Sequence, residues 1–586
     1  MGAIFIHNKT NYSFRVDKSL EYFEKQNFGT PFRFNSGSWE LYYYPKKLPG
    51  SRPQVIAGKK LMIVCGTAVM PHKTSNESLR GIYECFCDTG NIPGNLSGNY
   101  FILFQSDNSI KIFTDPVNVF SIFLTEDRNV FSSSFIALVS GLDSLHINRM
   151  AVTENIVTGS VTGNETVFNE VIRLNNNLNI KIEGIEFVPN FVNYAEIPQF
   201  RSRQESIKAQ INILDEYFEG IKPLALENGV DTGLTGGYDS RLLLVLILRH
   251  FGRSSLQIHS HYRNQENRDF SIAEKLAGKA EIPFKTIPVK NFNDLSLKEF
   301  TDTFEKSLIF NDGQIRTNSY WYEQYNTEDY RREILKEKRL GFHGIGGEIF
   351  RNQERAGMRN PDFRSWIKYY VVKRYAGEVF YDRADEENLT DYIFEKLVLY
   401  KELGFKKHMK IDLRIRKMYM NHIYLQANRG LRTNAENKLA YFLSPFAEPL
   451  ISKTALGATP FLGISMNYES DLINFLNGDL AQIESSYGYS FNKGESILNY
   501  FPYYLIENLL PLKFISGLRI IKSKRNNYSN QNENKEVLSY INHLTDRVKE
   551  LGIPVNIEKI LLRRDLAHLV LSTGYLLDKF EDKIII

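Results

Sequence analysis

Two patterns of hydrophobic residues divide the chain. In about the first third, short segments rich in β-branched and aromatic residues alternate with Asn and Gly, as in the segments that start at Gly98, Phe113 and Phe131. Such segments are typical of the strands of an antiparallel β-rich unit. From Ile207 onward, apolar residues recur at three- and four-residue spacing, which predicts a helix. The polar, Pro-containing segment Phe191 to Glu205 is the expected linker between the two patterns.

The middle of the chain alternates between strand and helix patterns. An apolar run ends at Thr235, and the helical stretch Leu242 to Leu248 follows it. A short apolar run, Leu256 to Ser260, then precedes a helical pattern that opens at Asp269. Strand, helix and strand in this order are typical of a parallel βαβ unit. Since the pattern beyond Gly346 is mostly helical, we expect a parallel α/β domain extended by many helices.

The turn after the first of these strands carries the clearest chemical signal, in the sequence LTGGYDSR. Gly236 and Gly237 place open backbone N–H groups at the positive end of a helix, where an anion can approach closely. The hydroxyls of Thr235 and Ser240 supply further hydrogen-bond donors. The turn therefore predicts a phosphate site. The alternative is a tight turn in which the glycines only supply unusual backbone angles.

The segment TGGYDSR resembles the SGGxDS pyrophosphate loop of the asparagine synthetase-like ATP pyrophosphatases, with Thr235 in place of Ser. The motifs GxxxxGK[ST], GxGxxG and HExxH are absent from the sequence. The resemblance implies an adenine nucleotide alpha hydrolase-like (PP-loop) domain over residues 200–525, with ATP as the cosubstrate. It also places Tyr238 with the neighbouring loop residues at the phosphates, and Asp239 among the catalytic groups.

A second segment resembles another part of the same family. Gly344 to Glu348 is similar to its GxGxD motif, with Glu348 in place of Asp. The resemblance implies Mg²⁺ held by Asp239 and Glu348, and carboxylates are ligands that this hard cation accepts. It also implies contacts with adenine, made by backbone of the second strand and by the start of the second motif: Ile258, His259, Ser260, His343 and Gly344.

The N-terminal third resembles a degenerate class II glutamine amidotransferase domain, which implies an Ntn-hydrolase-like β-rich sandwich over residues 1–195. In glutamine-hydrolysing members a catalytic Cys follows the initiator Met, whereas this chain has Gly2. We therefore expect no glutaminase activity. The position of Ile345 is a Glu in asparagine synthetases and a Tyr in β-lactam synthetases, and Ile can take neither role. The identity of the general base is therefore an open question.

The C-terminal part extends the resemblance. Residues Arg429 to Pro449 are similar to the synthetase segment that ends in RxPFLD, and Lys522 or Lys524 falls where the family places a catalytic lysine. The alternative for these lysines is a solvated basic face. A helical extension, residues 535–586, has no chemistry that we can assign from the sequence.

These similarities imply an ATP-dependent carbon–nitrogen ligase. It would adenylate a carboxylate of a small molecule or peptide, release pyrophosphate, and transfer the acyl group to ammonia or to an amine of the substrate. β-Lactam synthetases and lasso-peptide cyclases resemble this chain in having the same core behind a degenerate amidotransferase domain. The alternative is a noncatalytic nucleotide-binding or scaffold protein, and a homodimer is compatible with either.

Composition narrows the class of protein. A chain of 586 residues is too long for a single hydrophobic core, so we expect two or three domains. Its hydrophobic content of 42% is enough to form their cores. A formal net charge of +4 gives no electrostatic support for nucleic-acid binding. Three cysteines, the lack of a secretory signal and the lack of a membrane-spanning run predict a cytoplasmic protein. His259 and His261 lack a third clustered ligand for a metal site.

Overall fold

The computed structural model describes residues 2–11, 13–48, 55–57, 60–106, 109–175, 180–262, 268–288, 295–313, 327–357, 359–373, 379–525 and 534–585. For some helix and strand residues in these ranges, among them 520–525, only the backbone is described. The N-terminal strands are β1 (Ala3–Asn8), β2 (Phe32–Ser36), β3 (Trp39–Tyr44), β4 (Val55–Ala57), β5 (Leu61–Gly66), β6 (Tyr100–Ser106), β7 (Ser109–Thr114), β8 (Phe123–Thr125), β9 (Val130–Ser132), β10 (Leu145–His146), β11 (Val171–Arg173), β12 (Lys181–Ile182) and β13 (Ile185–Val188). The helices among them are α1 (Val16–Lys25), α2 (Ser75–Thr89), α3 (Phe135–Gly141) and α4 (Arg149–Thr158).

These strands form stacked sheets with helices on their outer faces. One sheet has the order β11-β8-β9-β1-β3-β2, and the other has the order β12-β13-β7-β6-β5-β4. Alternate residues of each strand point to opposite faces, so Ile4 and Ile6 of β1 pack between the sheets while Phe5 packs against α1 and α3. In β5, Cys65 faces the other sheet and Val64 faces α2. The β-rich unit is thus present, and its relation to Ntn hydrolases stays a prediction.

One segment of this unit differs from the strand that its sequence indicates. The run from Phe131 to Leu138 is a strand only as far as Ser132, and the helix α3 begins at Phe135. The side chain of Ser134 accepts a hydrogen bond from Ala137 N and caps the helix. A serine at this position therefore ends the extended run.

The second unit contains a parallel sheet. Its strands are β14 (Val230–Gly233), β15 (Leu256–Tyr262), β16 (Phe284–Pro288), β17 (Leu340–Phe342) and β18 (Tyr441–Leu443), in the order β16-β15-β14-β17-β18 with every neighbouring pair parallel. Its first helices are α5 (Arg203–Asn228), α6 (Tyr238–Phe251), α7 (Arg268–Ala280), α8 (Leu297–Phe310) and α9 (Glu328–Leu335). The parallel α/β sheet expected from the sequence is confirmed.

Many helices follow β17, as the sequence indicates. They are α10 (Phe363–Trp366), α11 (Arg383–Val398), α12 (Leu413–Met418), α13 (Gly430–Asn437), α14 (Pro449–Gly457), α15 (Asn467–Leu476), α16 (Gly478–Gln482), α17 (Ile497–Leu509) and α18 (Leu512–Arg525). The π-helical segments Ile367–Val372 and Tyr419–Arg429 continue α10 and α12.

The end of the chain returns to the N-terminal unit. Its helices are α19 (Lys535–Lys549), α20 (Ile557–Leu561) and α21 (Arg564–Lys579), and a short strand, β19 (Ile584–Ile585), pairs with β10 in parallel. α19 and α21 bury apolar residues together with α8. The C-terminal extension thus contacts both units.

The strand order fixes where a ligand can bind. In the sheet, β14 lies between β15 and β17, so the chain proceeds from β14 to one side and later returns to the other. In parallel α/β sheets, ligands bind at the carboxyl ends of the strands where the order reverses in this way. The loop after β14 and the segment after β17 both start at this edge.

Candidate functional site

The loop between β14 and α6 lies at the reversal point of the sheet. Within it, Gly237 N–H donates to Thr235 Oγ1 at 3.2 Å, and Thr235 N–H donates to Ser240 Oγ at 3.2 Å. The two hydroxyls are 2.9 Å apart. The hydroxyl groups of Thr235 and Ser240, predicted from the sequence, therefore form hydrogen bonds within the loop and stabilise its shape. A ligand at the loop would compete with these internal hydrogen bonds for the hydroxyl donors.

The first turn of α6 faces a cavity of about 310 Å³. Gly237 is the N-cap of this helix and provides no side-chain cap, so the N–H groups of the first turn have no partner within the helix. The cavity is lined by residues from both loops and from two later segments: Thr235, Gly237, Tyr238, Asp239, Ser240, His343, Gly344, Ile345, Arg432 and Tyr487. The structure thus brings together most of the predicted phosphate residues.

A carboxylate contacts the loop between β14 and α6. Asp269, near the start of α7, accepts a hydrogen bond from Gly236 N at 3.2 Å. Its side chain belongs to an exposed residue, so it can move away at little cost. An anionic ligand at Gly236 would compete with this carboxylate for the same N–H.

Asp239 is held by a buried guanidinium. Arg351 donates through one terminal nitrogen to Asp239 Oδ1 at 2.5 Å and through the other to Oδ2 at 3.1 Å. The first nitrogen also donates to Glu469 Oε2 at 2.5 Å, and the Glu469 side chain is fully buried. Burial opposes the charge of Arg351, but the two carboxylates outweigh it and raise its pKa well above the ordinary value. Burial raises the pKa of Glu469.

This pairing decides whether a magnesium ion fits between Asp239 and Glu348. Both oxygens of Asp239 accept from Arg351, and Glu348 is not among the residues that line the cavity. In the described part of the chain, no group of three or more His, Cys, Asp or Glu residues is placed to hold a metal. The residues as arranged do not fit the ion, because the guanidinium occupies the carboxylate that would ligate it. The assignment of Mg²⁺ to this pair stays a prediction.

Glycine allows the two loops to meet. A Cβ on Gly344 would lie 3.0 Å from Asp239 Cβ, and a Cβ on Gly347 would lie 2.1 Å from Asp239 Oδ1. The second figure is far below any real contact. A larger residue at position 347 would therefore push the Asp239 side chain away from its contact with Arg351.

His343 presents an imidazole to the cavity. Neither of its ring nitrogens has a hydrogen-bond partner among the described residues. Burial lowers the pKa of His343 to about 3, so the ring is neutral near pH 7. A neutral imidazole can donate through one nitrogen and accept through the other. This side chain has the groups to hydrogen-bond a polar ligand, and the contact of His343 with adenine stays a prediction.

Arg432 places a cation at the cavity, and sequence reasoning missed it. Its Nε donates to Glu436 Oε1 at 3.2 Å, and Arg331 lies 2.9 Å from the same carboxylate. Burial opposes the charge of Glu436, but Arg331, His343 and Arg432 lower its pKa to about 2. Arg432 belongs to the segment Arg429 to Pro449 that resembles the synthetases, but no spacing in it marks this residue.

Tyr487 is the other lining residue that the sequence does not indicate. It comes from a segment fastened to α6 by Arg241, which donates to Ile483 O at 2.6 Å and to Glu484 O at 3.1 Å. Tyr238 packs in the same place, since its buried ring stacks on Phe491 with ring centroids 4.2 Å apart. The Tyr238 side chain is therefore part of the core, and the predicted contact with phosphate falls to its backbone.

Other predicted residues lie away from the cavity. Ile258, His259 and Ser260 are buried in β15, and none of them lines the cavity. His259 Nδ1 lies 3.1 Å from Asp231 Oδ1, which accounts for its burial without a metal. Lys522 and Lys524 belong to α18, but their side chains lie outside the described residues. The roles assigned to these residues stay predictions.

The position of Gly2 has no space for a side chain. A Cβ on Gly2 would lie 1.0 Å from the carbonyl oxygen of Tyr44 and 2.8 Å from the carbonyl carbon of Pro45. A cysteine at this position would overlap the backbone of the strand β3 and the residue after it. A side chain at this position would need the backbone to move, and the expected lack of glutaminase activity stays a prediction.

No protein-family description matches this chain, and no curated protein matches it. Among the solved structures to which it is similar, three illustrate how low the TM-scores are. For the U34-tRNA thiolase NcsA from Methanococcus maripaludis, the TM-score is 0.20 and the identity 11%, over 59% of this chain and 80% of that one. For an NH3-dependent NAD synthetase from Campylobacter jejuni, the TM-score is 0.16 and the identity 17%, over 38% of this chain and 95% of that one.

The third structure is a glutamine-dependent NAD+ synthetase from Acinetobacter baumannii in complex with ADP. Its TM-score is 0.14 and its identity 10%, over 53% of this chain and 72% of that one. Similarities at such low TM-scores assign neither a fold family nor a function to this chain.

Proposed function

We propose that this chain is an ATP-using enzyme that forms an amide bond, in which a substrate carboxylate is first adenylated. The observation that carries the proposal is the glycine loop at the reversal point of the parallel sheet, where the first turn of α6 faces the cavity. N–H groups at a helix N-terminus bind phosphate, and the sequence TGGYDS resembles a pyrophosphate loop. A polyphosphate at this loop would displace Asp269 from Gly236 N.

In the proposed reaction, a carboxylate oxygen attacks the α-phosphorus of ATP, and the bond to the bridging oxygen breaks to release pyrophosphate. The amine then attacks the acyl carbon, AMP leaves, and the amine loses a proton to a base. Holding the reacting groups in line and stabilising the departing charge are the main demands on the site. The N–H groups of the loop and the Arg432 guanidinium would stabilise the charge on the departing pyrophosphate.

The nitrogen donor follows from the N-terminal unit. Glycine at position 2 has no side-chain nucleophile that could act on glutamine. We infer that ammonia or an amine of the substrate is the acceptor, without glutamine hydrolysis. Ile345 lines the cavity and cannot take up a proton, so the base comes from another residue or from the substrate.

A second candidate function has its own support. A noncatalytic nucleotide-binding protein would have no need of a free Asp239, and here Arg351 holds both oxygens of that carboxylate. Such a protein would bind ATP at the same loop but would not release pyrophosphate.

Exchange of labelled pyrophosphate into ATP, with fractionated metabolites of the host, separates the two functions. The ligase predicts exchange that needs one fraction and is lost in Asp239→Ala, while circular dichroism shows that the variant is folded. ATP binding without exchange in any fraction would instead support the noncatalytic protein. Absence of both exchange and ATP binding would contradict both functions.

A further inference from the structure

The helices α17 and α18 expose an apolar face, although apolar faces of helices are ordinarily buried. Along α17, Leu498, Phe501, Leu505 and Leu509 follow one another at spacings of three and four residues, and all are exposed. The exposed residues Leu510, Phe514 and Leu518 continue this series into α18. We call these seven residues the apolar face.

A neighbouring side of α17 contacts the protein through Asn508 and Tyr504. Asn508 accepts from Gly357 N at 3.0 Å and donates to Arg355 O at 2.9 Å. A Cβ on Gly357 would lie 2.5 Å from the ring of Tyr504, so this tyrosine packs closely on the chain below. Asn508 and Tyr504 therefore hold α17 against the protein, and the apolar face remains exposed.

The sequence of the two helices is basic. It has five basic residues, Lys513, Arg519, Lys522, Lys524 and Arg525, and one acidic residue, and Lys513 is exposed within the apolar face. The acidic residue of these two helices, Glu507, is 2.6 Å from Arg519 and is thereby neutralised. A basic helix with an apolar face is typical of segments that lie on an anionic membrane surface.

We propose that α17 and α18 dock the protein on the surface of an anionic lipid bilayer, with the apolar face in the boundary between headgroups and acyl chains. No helix in the described residues is long and apolar enough to cross a membrane. Helices with one apolar face lie in the plane of the membrane surface, and we propose this orientation for α17 and α18. Phe501 and Phe514 insert, while Lys513 pairs with headgroup phosphates. A second copy of the chain is a poorer occupant, because a symmetric contact would bring the same basic residues together.

Cosedimentation with vesicles tests this proposal on the full chain. The protein should bind vesicles of phosphatidylcholine that contain phosphatidylglycerol, and bind less to phosphatidylcholine alone or at high salt. Phe514→Glu should weaken the binding by at least about tenfold, since a buried aromatic contact is replaced by a charge. Phe475→Glu is the matched control, because Phe475 is 69% exposed on α15 and Phe514 is 66% exposed.

Three outcomes would overturn the proposal. The first is a lack of binding to the anionic vesicles, and the second is an equal loss in Phe514→Glu and Phe475→Glu. The third is self-association that Phe514→Glu abolishes without any vesicle binding, which would make a second copy the partner. Thermal unfolding of both variants at the wild-type midpoint shows that the fold is retained.

Discussion

At the scale of single residues, Arg351 organises the floor of the cavity. It is buried between Asp239 of α6 and Glu469 of α15, and its guanidinium lies over the Tyr238 ring at 5.3 Å from the centroid. A buried charge that loses its partner is costly, whereas loss of a whole pair costs less. The pair therefore links the stability of the fold to the position of Asp239.

Replacing Arg351 tests this link. Arg351→Met leaves Glu469 buried without a cation, and we expect a loss of about 3–5 kcal/mol in the free energy of unfolding. The double variant Arg351→Met/Glu469→Leu should recover part of the loss, because it removes the uncompensated carboxylate. Urea denaturation of the wild type and the three variants in the cycle measures the coupling. If the loss in unfolding free energy of the double variant equals the sum of the losses in the two single variants, the residues are not coupled and the prediction is wrong.

Arg432 offers a second test at this scale. Arg432→Gln removes a cation from the cavity, while Arg331 still pairs with Glu436 and retains the fold. We expect ATP affinity to fall by about tenfold, as for a lost charge-assisted hydrogen bond of roughly 1.5 kcal/mol. Calorimetric titration with ATP measures the change. Arg414→Gln, at a partly exposed position near the start of α12, is the control that should leave affinity unchanged.

The residues of the site differ in how far the sequence could predict them. Thr235 to Ser240 were predictable because glycine, hydroxyl and carboxylate stand together in a short segment. Arg351 and Arg432 were not, since each meets the loop only through tertiary packing, at a separation of more than a hundred residues. The burial of the Tyr238 ring was equally hidden, because the aromatic segment that covers it comes much later in the chain.

At the scale of elements, the proposed anion site lies at the N-terminus of α6. Gly237 is the N-cap, and a Cβ there would meet only Thr235 Oγ1, at 3.3 Å. An added methyl group would need the Thr235 hydroxyl to move slightly, and in the proposed binding mode it would stand where the phosphate approaches the backbone.

Gly237→Ala should therefore weaken ATP binding by about tenfold or more while the thermal midpoint stays near that of the wild type. Gly278→Ala, within α7, is the matched control, because a Cβ there meets nothing within 4 Å. This control should bind ATP normally and gain up to about 1 kcal/mol from helix propensity. Unchanged ATP affinity in Gly237→Ala would remove the loop from the binding site.

Strand and helix patterns predicted the elements near the site well. The second strand is present as Leu256–Tyr262, and its following helix begins at Arg268, one residue before Asp269. The segment Phe131 to Leu138 predicts one strand and so overlooks α3, although Ser134 directly before an apolar stretch is a helix N-cap signal.

At the scale of the whole molecule, Glu448 joins the two units. It lies at the start of α14 and accepts from Gly98 N of the N-terminal unit at 2.8 Å. Burial raises the pKa of Glu448 from 4.5 to about 8. The folded protein therefore retains this proton at pH values where the unfolded chain has released it. Stability from this group is present below about pH 4.5 and is lost as the pH rises to about 8.

Glu448→Gln should remove this pH dependence. The amide oxygen can still accept from Gly98 N, and the side chain has no proton to lose. Each pKa unit corresponds to about 1.4 kcal/mol, so the variant should gain stability over the wild type at the alkaline end of this window. Thermal unfolding across the window measures the slope for each protein. Parallel curves for the two would contradict the assignment.

The overall architecture was predictable only in part. The period-two and helical patterns separate a β-rich unit from an α/β unit, but they carry no strand order. The position of β17 beside β14, and hence the meeting of the two loops, comes from pairing between residues distant in sequence. The return of the chain end through β19 to β10 was equally invisible, because this pairing is two residues long.

A crystal structure with a nonhydrolysable ATP analogue would show directly whether the glycine loop binds a nucleotide. We expect phosphates against the N–H groups of Gly236, Gly237 and the first turn of α6, with Asp269 displaced and Arg432 turned to the phosphates. His343 should contact the base or the sugar. A saturating analogue that binds elsewhere, or leaves Asp269 on Gly236 N, would show that this loop is not a nucleotide site.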